Sequence, residues 1–140
     1  MSSRQKLIAT FAIVLIGLIP ALSQAAPPTV EIIAMAHPPV QSALKPLREW
    51  LSGQAGKVRV VEIDAESPAG EKRLETIGLK GHVPIAILID GKTRFQRKDG
   101  SAVNFVNFPA VKESPAGIRG DWLTEDVQAA VLERLGKTRR

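Results

Sequence analysis

Among the 140 residues the chemistry-bearing side chains are few: two histidines, His37 and His82, two methionines, Met1 and Met35, and no cysteine. A histidine pair can hold a transition metal, and a thioether such as Met35 adds a ligand suited to Cu(I). The set is sparse, because zinc-type sites gather three or four donors and usually include a thiolate or carboxylate. The bland reading places Met35 in the core and leaves both histidines as ordinary surface groups, one of them beside a helix start. The absence of cysteine is firmer. It excludes thiol nucleophiles, disulfides and thiolate metal centres.

No hydrolytic constellation stands beside the histidines. Ser67, Ser101 and Ser114 fall in turn-like stretches with no histidine nearby in sequence. Asp64 and Glu66 end a strand-like run and Asp90 precedes a glycine, so solvated or turn roles outweigh paired acid–base work. The glycines do not spell a phosphate loop. Trp50, Trp122, Phe105 and Phe108 are scattered, which favours packing over a base-stacking platform. Basic residues gather at Lys92, Arg94, Arg97 and Lys98 and again at Lys137, Arg139 and Arg140. A solvated hairpin edge and a solvated tail account for them more simply than an anion site. No catalytic group and no cofactor is expected, and nothing argues for nucleic acid.

The first 25 residues have the pattern of an export signal. Arg4 and Lys6 precede an apolar run from Leu7 to Leu18, and Pro20 breaks it. Ser23 and Ala25 then offer small side chains before a cut at Ala26. The run is short for a membrane span; the alternative is an uncleaved N-terminal anchor. No cysteine follows to carry a lipid. Cleavage would leave 115 residues, seventeen basic and fourteen acidic, and a net charge of +3 instead of +5. That length suits one domain, exported to a periplasm or beyond, with no membrane span after cleavage and with stability drawn from packing.

The elements that must position the histidines follow from periodicity. Val30–Ala36 reads as a first strand, stopped by His37-Pro38-Pro39. A helix from about Pro39 to Ser52 carries Val40, Ala43, Leu44, Leu47 and Leu51 on one stripe, encloses Pro46 and stops at Gly53. Val58–Asp64 is a second strand, and Ser67-Pro68 caps a short helix to about Ile77. Pro84–Ile89 is apolar throughout, which suits a strand buried on both faces, and Asp90-Gly91 is a hairpin turn. Two strands at Thr93–Arg97 and Ala102–Phe108, an irregular loop over 109–121 and a helix over Thr124–Leu135 complete the chain. Thr124 is expected to cap that helix and Gly136 to end it. The order predicts an α/β domain with a mixed central sheet of about five strands flanked by helices.

With its punctuation, this order resembles the thioredoxin-like superfamily over about Val30 to Leu135. Ile77-Gly-Leu-Lys-Gly-His-Val-Pro84 is similar to the family's glycine-rich approach to a cis-proline, and His37-Pro38-Pro39-Val40 falls where the family carries Cys-x-x-Cys. Both cysteine positions are replaced, so disulfide exchange is lost. The resemblance implies residues 26–140 as a redox-inactive, non-enzymatic thioredoxin-like domain. It implies a cis Val83–Pro84 bond and a groove where His37, Pro38, Pro39 and Val40 face His82, Val83 and Pro84. An extended segment of an unidentified protein partner would pair there with the Val83 backbone. The alternative it allows is a metal-binding or metal-delivery protein using His37 and His82 with Met35.

Overall fold

The computed structural model describes residues 25–138, and the expected export signal lies outside them except for Ala25. Nine elements follow in order: β1 (Thr29–Ala34), α1 (Pro38–Ser52), β2 (Arg59–Asp64), α2 (Pro68–Thr76), β3 (Ile85–Ile89), β4 (Arg94–Gln96), β5 (Ala102–Asn104), a single 3-10 turn (Ala116–Ile118) and α3 (Thr124–Thr138). No helix among the described residues is long and apolar enough to cross a membrane.

β1 is the middle strand of a three-stranded sheet, parallel to β2 and antiparallel to β3. The apolar runs explain that placement. Val30, Ile32 and Ile33 have no exposed surface, and all five residues of β3 are buried. β2 is an edge strand and keeps the alternation of one, with Glu62 and Asp64 exposed and Ile63 half-buried. α1 buries Val40, Leu44, Leu47 and Leu51, the stripe read from its spacing, and packs against α3. Ser67 caps α2 as expected, its hydroxyl accepting the Gly70 N–H at 3.1 Å.

The five expected strands are present, divided between a mixed three-stranded sheet and a two-stranded β4–β5 ribbon. Asp90 (φ 48°) and Gly91 (φ 80°) make the tight turn with both residues left-handed, and Lys92 bridges back to Ile89. The chain then leaves the sheet as β4. The segment after β5 takes its place: Ile87 N–H donates to the Phe105 carbonyl at 2.9 Å, and Asn107 N–H donates to the Ile85 carbonyl at 2.8 Å. Asn107 is left-handed at φ 70°, which an asparagine tolerates and a regular strand does not, so the run expected to Phe108 is cut short.

The loop after Phe108 is stitched down. The Arg119 guanidinium donates to the Ser114 and Lys112 carbonyls, and the buried Trp122 indole N–H donates to the Asn107 carbonyl at 3.2 Å. α3 departs from expectation at both ends. Asp126, not Thr124, closes its first turn by accepting the Leu123 N–H at 2.8 Å. Gly136 lies inside the helix, which continues to Thr138.

Two glycines separate packing from propensity. A Cβ on Gly70 would sit 2.0 Å from the Asp64 carbonyl oxygen, whereas one on Gly136 would meet nothing within 4 Å. Gly70→Ala should therefore destabilise the protein by about 2 kcal/mol or more, and Gly136→Ala should stabilise it by about 0.5–1 kcal/mol. Urea unfolding of the two variants beside the parent protein checks both signs.

Candidate functional site

The end of the sheet where α1 begins is set by the β1–β3 register. Ala34 pairs with Ile85, and one step further the Met35 N–H donates to the Pro84 carbonyl at 3.0 Å. The Met35 carbonyl in turn accepts from the Gln41 side chain at 2.7 Å, tying the turn between β1 and α1 to the helix. His37 and the loop before β3 therefore lie at the same end of the sheet, as expected.

The Val83–Pro84 bond is not cis: all peptide bonds among the described residues are trans. The Met35–Pro84 hydrogen bond extends the antiparallel ladder one residue past Ile85, and that extended path matches the ordinary trans preference before proline, about 0.5–1 kcal/mol.

The expected groove residues divide into two sets. His37, Pro38, Pro39 and His82 are exposed. Val40, Val83 and Pro84 are buried, and the first two belong to the hydrophobic core, so these side chains are not a groove wall. The cause for Val40 is helical phase, since it heads the stripe that continues through Leu44 and Leu47. What is unpaired at Val83, itself 6% exposed, is backbone. Among the described residues neither its N–H nor its C=O has a hydrogen-bond partner.

Glu66, expected as a solvated acid at the end of a strand, belongs to this end of the molecule. Its carboxylate Oε2 lies 2.9 Å from His37 Nε2, with both side chains about half exposed. His82 makes no hydrogen bond to any described residue. Met35 is 6% exposed and packs in the core. Among the described residues no three His, Cys, Asp or Glu side chains gather in a way that could hold a metal ion.

Another opening lies elsewhere. A cleft of about 1330 Å³ runs between β4 and α3, remote in sequence from His37 and His82. Arg97 spans one end of it. Its guanidinium donates to both Asp126 oxygens at 2.8 and 2.7 Å and to the Asp121 carbonyl at 3.1 Å. The four basic residues of this hairpin were read as a solvated edge; the structure gives one of them, Arg97, a fixed structural role. The signal that could have exposed the cleft was Leu132, an apolar residue off the α3 stripe and 53% exposed.

Asp126 has the clearest electrostatic signature here. The hydrogen bond from Arg97 holds its carboxyl below the usual carboxylate range, helped by the Leu123 N–H and opposed by burial. A depressed folded-state pKa gives stability that is full above the unfolded value, about 3.9, and lost as pH falls through the folded one. Asp126→Asn should cost on the order of 1 kcal/mol near neutral pH, since solvent screens the pair. The gap between parent and variant should close in the acid range, as urea unfolding at a series of pH values will show.

Comparison with family models, with curated proteins and with solved structures finds no match to this chain.

Proposed function

We propose that this chain is an exported, redox-inactive, thioredoxin-like domain that captures an extended protein segment at the end of the sheet where α1 begins. The element order and the mixed sheet support the resemblance, while the trans Val83–Pro84 bond departs from the family's pattern. The observation that carries the binding reading is the unpaired Val83 backbone, set beside exposed His82 at the same sheet end as exposed His37, Pro38 and Pro39. An extended segment needs such a donor and acceptor to pair with, and it needs no thiol. Exposed prolines add rigid apolar surface at little entropic cost.

The site has no fixed nucleophile, since the chain has no cysteine and His37 Nε2 is engaged by Glu66. Binding without chemistry is the reading that fits. The metal-delivery alternative would require His37, His82 and Met35 to turn toward one ion. Met35 lies in the core, and no observation favours that alternative.

Because Val40 and Val83 are core residues, the test belongs at the exposed positions. A photo-crosslinking side chain placed at Pro38 or at His82 should trap the same protein segment from an envelope fraction. The same group at Ser52, at the far end of α1, should not. Equal trapping at Ser52, or none at Pro38 and His82, would sink the proposal.

A further inference from the structure

The β4–α3 cleft has an open strand edge, an apolar lining and a rim whose unpaired charges are three cations against one carboxylate. The edge follows from hydrogen-bond alternation. Phe105 N–H donates to the Thr93 carbonyl, and Arg97 N–H donates to the Ser101 carbonyl, with the Phe95–Val103 pair between them. Thr93, Phe95 and Arg97 thus spend their backbone groups on the β5 side. In an antiparallel pair the intervening residues, Arg94 and Gln96, turn theirs the other way. Five consecutive residues, 94–98, line the cleft. Both faces of a strand can meet one opening only along its edge, so the cleft runs beside that unpaired edge.

The facing wall is α3, where Ala129 and exposed Leu132 join half-buried Phe95 as apolar surface. The charges are unbalanced once the ion pairs are set aside. Asp90 is held by Arg134, Asp126 by Arg97 and Glu133 by Lys137; Asp99 accepts only from Ser101 and keeps its negative charge. Lys92, Arg94 and Lys98 are exposed, and none has a partner among the described residues. Arg94 and Gln96 are two apart on β4 and share one face, while Phe95 takes the other; Lys98 follows in the turn beyond the strand.

We infer that this cleft is a second binding site, which docks an extended protein segment of alternating acidic and apolar residues as an added strand on β4. The backbone of the segment pairs with Arg94 and Gln96. Its carboxylates lie on the face of Arg94, with Lys92 and Lys98 flanking the strand, and its apolar side chains lie on the face of Phe95, against Leu132. The volume agrees with a chain segment better than with a small molecule, whose pockets usually hold about 300–1,000 Å³. This site is independent of the reading at α1. Exposed, unpaired cations on the rim make its binding sensitive to salt, unlike backbone pairing at Val83.

A labelled peptide of about ten residues alternating glutamate and valine, titrated against the full chain, tests the inference by fluorescence anisotropy. The peptide should bind, more weakly as salt is raised, and an analogue with lysine in place of glutamate should not. Lys92→Glu, Arg94→Glu and Lys98→Glu combined should weaken binding at least tenfold. Leu132→Asp should do the same, and because that side chain is already exposed the fold should survive it. Lys57→Glu, an equal charge change elsewhere on the surface, should leave binding unchanged. In amide spectra of the complex, Arg94 and Gln96 should gain protection from exchange. Equal binding of the lysine analogue, indifference to the triple reversal, or protection on the β2 edge instead would overturn the inference. So would capture of the chain by anionic lipid vesicles without any response to the peptide.

Discussion

Everything in this fold depends on β1 being hydrogen-bonded along both edges. Its six residues pair in parallel with β2 and antiparallel with β3, and Val30, Ile32 and Ile33 are wholly buried. A chain without cysteine has no covalent staple, so burial of this kind must offset the entropy of ordering the backbone. The same pairing fixes geography. Because β3 runs back along β1, the residues that follow β1 and those that precede β3 meet at one end, and the Met35–Pro84 bond closes that end. The other end carries the Asp90-Gly91 turn, where the Asp90 carboxylate accepts the Thr29 N–H at 2.9 Å. Both candidate surfaces are consequences of where β3 starts and stops.

Polar side chains tie the outer elements to this centre. Arg73 of α2 reaches Glu31 in the middle of β1, and Arg48 of α1 takes the Glu62 carboxylate on β2 with two hydrogen bonds. Arg97 joins the ribbon to α3 through Asp126. No buried side-chain nitrogen or oxygen among the described residues lacks a partner. What the described residues leave unpaired is the backbone of nearly buried Val83, the outer edge of β4 and the exposed cations Lys92, Arg94 and Lys98.

Most of the architecture was legible because it rests on local signals. The β3 run is apolar at every position, α1 shows its stripe from Val40 to Leu51, and Ser67-Pro68 marks the start of α2; all three hold in the structure. The misreadings come from long-range effects. A helix stop at Gly136 is a reasonable local inference, yet the chain continues the helix. The five strands divide into a three-stranded sheet and a two-stranded ribbon, still joined by hydrogen bonds between β3 and residues 105–107. Val40 was placed in the groove by its motif position, while its helical phase sends it inward. The His37–Glu66 and Arg97–Asp126 pairs join residues 29 apart in each case, and sequence offers no way to match such charges. The cis bond expected at Pro84 came from resemblance alone, and the ladder to Met35 carries a trans one.

Amide hydrogen exchange on the free protein, read residue by residue, tests the central claim that a closed β1–β3 core holds two open backbone surfaces. The account predicts slowest exchange at Ile32, Ile33 and Ile87, approaching the rate set by global unfolding. Val83, Arg94 and Gln96 should exchange quickly in the same sample. Protection of Arg94 and Gln96 as strong as that of Ile33, or loss of protection in β1 before the ribbon, would contradict it.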